Sequence, residues 1–215
     1  MGELEIDTGN GKLVFHARII TYGNAADELV TERIRSEIES MWNEPQASVK
    51  INNMMLDLEF RIEADIIRAI APVDVVSNLD PRNNYFRIEE RSVHNISFVD
   101  GLGCNSGYFQ YDNLYEGSTT AAHEFGHTIG LEHPMDLDFR GYGVPGIMYP
   151  RGTLVDPEFQ YDPNIEAGLP GGTMHPKFRK VRLEDIRSLN LYRIRFSDNK
   201  AVLGEFTNVY HSSHD

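Results

Sequence analysis

One eleven-residue segment, His123-Glu124-Phe125-Gly126-His127-Thr128-Ile129-Gly130-Leu131-Glu132-His133, constrains this chain more than any other. On a helix, positions 123 and 127 stand about 40° apart around the axis, so both imidazoles leave the same face. That spacing can bring two nitrogens to one tetrahedral zinc. Glu124 falls at the edge of the face, placed to reach a metal-bound water rather than the metal. His133 would lie on the far side of a continued helix, so it joins the pair only if the chain turns. Gly130 supplies a residue that tolerates positive φ at the place where the turn is needed.

The rest of the chain reads as a scaffold for that helix. Lys12 to Tyr22 is rich in β-branched and aromatic residues and ends at the turn signal Gly23-Asn24. Ala25 to Trp42 carries Leu29, Ile34, Ile38 and Met41/Trp42 at helical spacing, with Pro45 beyond it. Ala47 to Ile51 is a short strand. Leu56 to Ile66 alternates Leu56, Leu58, Phe60 and Ile62 with Asp57, Glu59, Arg61 and Glu63, a strand with one wet face. Pro72 to Asn84 reads as a long loop. Tyr85 to Ile88, Asn95 to Val99 and Gly107 to Asp112 are further strands. Ser118 to Leu131 is the second helix, and Arg182 to Tyr192, with Leu183, Ile186, Leu189 and Leu191, is the third. Pro134 to Thr173 is irregular. Phe196, Val202, Leu203, Phe206 and Val209 suggest packing after Arg195.

Charge and composition exclude some functions. Lys and Arg total 20 against 33 Asp and Glu, a net charge of −13, which argues against binding nucleic acid through its phosphates. No apolar run reaches the roughly 18 to 20 residues of a membrane span. Cys104 is the only cysteine, so neither an internal disulfide nor a cysteine-cluster metal site is available, and a buried, inert thiol is its expected state. The basic run from Pro176 to Arg195 reads as a solvated face balancing an acidic body. Met1 to Thr8 has neither a basic start nor an apolar core, so it does not read as a signal peptide. The expected location is outside the producing cell, as a secreted chain or a delivered part of a longer precursor, with the cytoplasm left open.

The zinc motif is the signature of the metzincin zinc peptidases. The run Ala121-Ala122-His123-Glu124-Phe125-Gly126-His127 through His133 resembles the matrixins, the matrix metalloproteinase group. Gly146-Ile147-Met148-Tyr149-Pro150 is similar to their Met-turn, which would set Met148 beneath the three histidines. Leu183-Glu184-Asp185-Ile186 through Leu191-Tyr192 resembles their C-terminal helix. Pro134, directly after His133, is a serralysin-like feature. Pro150, two residues after the methionine, departs from the tyrosine of serralysins and astacins, and Tyr149 comes one residue too early for it.

The resemblance implies an α/β (α+β) fold: a twisted mixed β-sheet, an active-site helix, a Met-turn and a C-terminal helix in a single domain over 1–215. Residues 1–133 would form the N-terminal subdomain and 134–215 the C-terminal one. It implies a zinc endopeptidase in which His123, His127 and His133 hold the metal, Glu124 is the general base and the partner is a protein or peptide substrate. Gly107, Tyr108 and Phe109, on the Gly107 to Tyr111 edge strand, would bind substrate as an added strand. Tyr149 and Tyr161, on the segment after Met148, would wall the pocket for the side chain just after the cleaved bond. An ordinary sheet edge and a core methionine are the plainer readings of these last features. Asp136, Asp138, Asp156, Glu158 and Asp162 offer oxygen ligands for calcium but lack EF-hand spacing, and a solvated acidic loop is the simpler reading. His175 lies in the long loop and could approach the cleft. His16, His94, His211 and His214 read as ordinary histidines.

Two further readings stay open. One keeps the fold without hydrolysis, as a zinc-binding interaction module, although the intact Glu124 counts against it. The other makes the chain the effector or toxin part of a longer bacterial polypeptide, with an inhibitor or immunity protein as its partner.

Overall fold

The computed structural model describes residues 1–91 and 96–213, so His94, Asn95 and His214 lie outside the described residues. The central strand is β2 (Lys12–Tyr22), parallel along nearly its whole length to β4 (Met54–Ile66). Its other edge is shared. β1 (Gly2–Asp7) runs antiparallel to its first half and β5 (Asn83–Glu89) parallel to its second. The sheet continues from β4 to β3 (Ser48–Ile51), antiparallel. In the other direction it runs from β5 to β7 (Ser106–Gln110), parallel, and on to β6 (Phe98–Val99), antiparallel. β8 (Lys200–Leu203) closes on β1. The result is a mixed sheet in an α/β chain.

Alternation decides which face is buried. Leu13, Phe15, Ala17 and Ile19 of β2 and Leu56, Leu58, Phe60 and Ile62 of β4 enter one core, beneath α1 (Glu28–Asn43). Asp27 caps α1, its carboxylate accepting the Val30 N–H at 2.7 Å. The helix turns Val30, Ile34, Ile38 and Trp42 inward, whereas Leu29, expected on that face, is 68% exposed. Trp42 then ties α1 to α3 (Thr120–Thr128). Its indole N–H donates to the Ala122 carbonyl at 3.1 Å, and its ring meets Phe125 edge-on. The core that holds the sheet thus also fixes the helix carrying His123 and His127.

The structure corrects four sequence expectations. Pro72 to Asn84 is not all loop: Pro72–Val76 forms a short helix, α2, with the Asp74 carboxylate accepting the Ala71 N–H, and β5 begins at Asn83. Residues 182–192 do not form one helix. α4 spans Leu183–Ser188, Asn190 takes φ 52°, and a separate 3-10 turn covers Leu191–Arg193, leaving Leu183 exposed. The second helix is also shorter than 118–131, ending at Thr128. Finally, Met1 to Thr8, read only for signals, supplies β1. One buried cluster draws on Leu4, Phe86, Met148 and Leu191 alike, joining the sheet to the last turns.

Candidate metal centre

The metal-ligand motif lies on α3 and in the turn that follows it. At the start of the helix Thr119 has φ 58°, and the first turn is capped from another element, with the Ala122 N–H donating to the Glu37 carboxylate at 3.2 Å. At the other end Gly130 has φ +96°. The Leu131 N–H reaches back to the Gly126 carbonyl at 2.9 Å and the Gly130 N–H to the His127 carbonyl at 3.0 Å. This helix-ending bond pattern needs a left-handed residue, and it reverses the chain so that His133 returns to the helix face.

Three imidazole nitrogens converge there. His133 Nε2 lies 3.0 Å from His123 Nε2 and 3.1 Å from His127 Nε2. The outward nitrogens are committed elsewhere: His123 Nδ1–H donates to the Ile147 carbonyl and His127 Nδ1–H to the Leu131 carbonyl, both at 2.7 Å. Those bonds select the tautomer whose Nε2 lone pair points to the common centre. Burial lowers the pKa of all three rings, that of His133 to about 4, so near neutrality they are unprotonated donors. Tetrahedral zinc at about 2.0–2.1 Å from each nitrogen would space them about 3.4 Å apart. The donors fit a metal ion to within a few tenths of an ångström. Among the described residues this is the one group of three or more His, Cys, Asp or Glu donors that could hold one.

Glu124 is buried beside the triad, and its carboxylate makes no hydrogen bond to the protein among the described residues. Burial pushes it up to about 8, against the opposing pull of Arg179 and then Arg151. Two adjoining hollows flank it. One, about 230 Å³, is lined by Glu124, His123, Thr120, Pro150, Arg151 and Arg179 among others. The other, about 310 Å³, runs past His127 along Ile96–Leu102.

The remaining expected residues fall in different places. Met148 is buried with its Sδ against the helix backbone: a Cβ on Gly126 would meet that sulfur at 2.2 Å. The neighbouring Ile147 supplies the carbonyl for His123. Gly107, Tyr108 and Phe109 are not on the sheet edge, because β6 covers β7. Tyr108 and Phe109 are 0% and 1% exposed, and the outer strand beside the triad is β6 instead, with Ile96 and Ser97 leading into it. Tyr149 turns its ring onto Phe139, in a hollow with Arg182 and Asp185, away from the metal centre. Tyr161 is 44% exposed and packs on His175, 4.5 Å between ring centres. Neither tyrosine is among the side chains lining the two hollows. Of the acidic loop residues, Asp138 pairs with Arg140, Asp156 accepts the Gly141 N–H and Asp162 holds Asn164. Cys104 is buried and burial raises its thiol pKa, His16 lies near Glu5, and His211 is bound to Asp100.

Arg179 is the residue that sequence reasoning missed. It sits in the basic run read as a solvated face, yet it is only 4% exposed. Its Nε–H donates to Thr119 Oγ1 at 2.9 Å, and its two amino groups donate to the Thr119 and Tyr149 carbonyls at 3.3 and 3.2 Å. Nothing in the sequence separates it from its six basic neighbours. Only the strained Thr119 backbone it satisfies makes its place necessary.

No helix among the described residues is long and apolar enough to cross a membrane. No family model matches the sequence, and no curated protein matches it. The structure is similar to the solved structure of myroilysin, covering 90% of this chain and 100% of that one, with a TM-score of 0.40 and 10% identity.

Proposed function

We propose that this protein is a zinc-dependent endopeptidase, with His123, His127 and His133 as metal ligands and Glu124 as the general base. The observation that carries the proposal is the convergence of three neutral Nε2 atoms beside a buried carboxylate that has no hydrogen-bond partner among the described residues. Bound zinc supplies Lewis acidity, bringing the pKa of water toward neutrality and polarising a substrate carbonyl.

The chain's own groups do the rest. Ile147 and Leu131 hold the two helix imidazoles in the ligating tautomer. Glu124 takes a proton on a carboxylate oxygen from the attacking water and gives it to the departing amine nitrogen. Its burial suits that exchange, since a carboxyl titrating near the working pH can both accept and return a proton. Met148, pressed against Gly126, braces the helix between the two ligands in the manner of a Met-turn. β6, beside the triad, is the strand against which an extended peptide would lie.

The test pairs metal content with cleavage. Wild type and Glu124→Gln should each bind about one zinc, while only the wild type cleaves an unfolded protein substrate, and a chelator should abolish that cleavage. General base loss costs on the order of 10² to 10⁴-fold in rate. Full activity in Glu124→Gln, or wild type without zinc, overturns the reading. Zinc without cleavage in the wild type would make the chain a zinc-binding module.

A further inference from the structure

The hollow beside Glu124 contains a feature that hydrolysis does not require. Arg179 is a buried cation with no carboxylate within ion-pair distance among the described residues. Its three bonds go to neutral oxygens, one hydroxyl and two carbonyls. A guanidinium carries five N–H donors, so two are left with no protein acceptor among the described residues, on a side chain that lines the hollow. At the rim Arg151 faces the same space, held by Asn113 Oδ1 at 3.1 Å. Among the described residues, Glu124 is the only acidic side chain on the wall. With it ionised, the lining carries one net positive charge inside a molecule whose overall charge is −13.

We infer that this hollow is a specificity subsite for an acidic side chain of the substrate, an Asp or Glu adjoining the cleaved bond, with Arg179 at its base and Arg151 at its rim. The inference rests on the peptidase reading for its substrate, but its chemistry is that of the pocket itself. A carboxylate accepts two parallel N–H bonds from a guanidinium, the geometry that two free donors on one planar group favour. An aliphatic side chain would cover those donors without pairing them, and a lysine would add like charge to a buried cation. The acidic surface does not cancel the effect. Exposed charges are screened over about 8 Å at physiological salt, whereas a side chain seated in the hollow meets the arginines directly. Arg151, being exposed, also gives the subsite a cation that can be reversed without disturbing the buried network.

The test reads binding as well as cleavage. Two hydroxamate probes are prepared that differ in one side chain, carboxyethyl or isobutyl, and their affinities for the zinc-loaded protein are measured by calorimetry. In parallel a peptide library is digested and the residues flanking each cut are sequenced. The carboxyethyl probe should bind at least tenfold more tightly. In Arg151→Glu that preference should fall below threefold, with an unchanged melting temperature showing that the fold is intact. Arg179→Lys should lower it too, read against its own stability because Arg179 also holds Thr119 and Tyr149. Cuts in the library should have Asp or Glu on one flank.

Equal binding of the two probes, tighter binding of the isobutyl probe, or binding of neither would overturn the subsite. Arg179 would then be only a counter-charge for Glu124 and an anchor for Thr119. Cleavage without an acidic preference would overturn the subsite and leave the peptidase reading standing. A tenfold probe preference without any cleavage would do the reverse.

Discussion

Two glycines on the metal-binding segment are there for different physical reasons. Gly130 is needed for its backbone: at φ +96° it turns the chain, and no atom would obstruct a side chain there. Gly126 is needed for space. A Cβ at that position would lie 2.2 Å from Met148 Sδ and 3.3 Å from Trp42 Cζ2. Gly126→Ala should therefore destabilise the fold by about 1–3 kcal/mol, the usual cost of overpacking a filled core. It should also lower zinc occupancy, since the helix it displaces carries His123 and His127. Denaturant unfolding measures the first effect and metal analysis the second. Combining it with Met148→Ala should recover part of the loss, because the two residues compete for one volume. If Gly126→Ala unfolds within 0.5 kcal/mol of wild type, the methionine is not the brace described here.

At the level of elements, the site depends on α4 as much as on α3. The Asp185 carboxylate accepts the Arg182 N–H at 2.8 Å and the Ile147 N–H, and the carbonyl of that same Ile147 holds His123. Burial raises Asp185 from an ordinary 3.8 to about 6. A carboxyl raised in the folded state favours the fold while protonated. Its contribution is fully present below about 4 and is lost as the pH rises through about 6. Asp185→Asn, which stays neutral, should thus gain stability relative to wild type between pH 4 and 6 and hold that gain above it. Unfolding curves taken across the range check this, and a difference independent of pH would refute it.

The same elements show what a single sequence can reveal. β2 and β4 were legible because each alternates over many residues, and His123, His127 and His133 because their spacing is chemical. β1 and β8 were missed because each is short and is defined by its partner: Glu3 pairs with Val202 across most of the chain. β6 falls inside the expected Asn95 to Val99 strand, but its place outside β7, which makes Gly107 to Tyr111 an inner strand, is set by pairing and leaves no mark on the sequence. Arg179 was read as surface because burial of a cation is a tertiary event.

Across the whole molecule, the metal centre is where the two parts of the chain meet. His123 and His127 come from the sheet-packed helix, while the carbonyl that orients His123 comes from Ile147 beyond the turn. Arg179 binds back onto Thr119 at the start of α3, and Lys180 reaches Glu44 at the end of α1. An ion held by all three imidazoles would therefore stabilise both parts together. Ligand binding to the folded state alone contributes roughly 2.7 kcal/mol at one hundred times the dissociation constant. For a chain of this length that is roughly 5 to 11 °C in melting temperature. Zinc should raise the melting temperature by about this amount, a chelator should reverse it, and His133→Ala should abolish most of the gain. Hydrogen exchange should slow both in α3 and around residues 145–149, since one bond network spans them. Protection confined to α3 would show that zinc is held by the helix alone, and that the return of His133 and the Ile147 carbonyl are incidental to it.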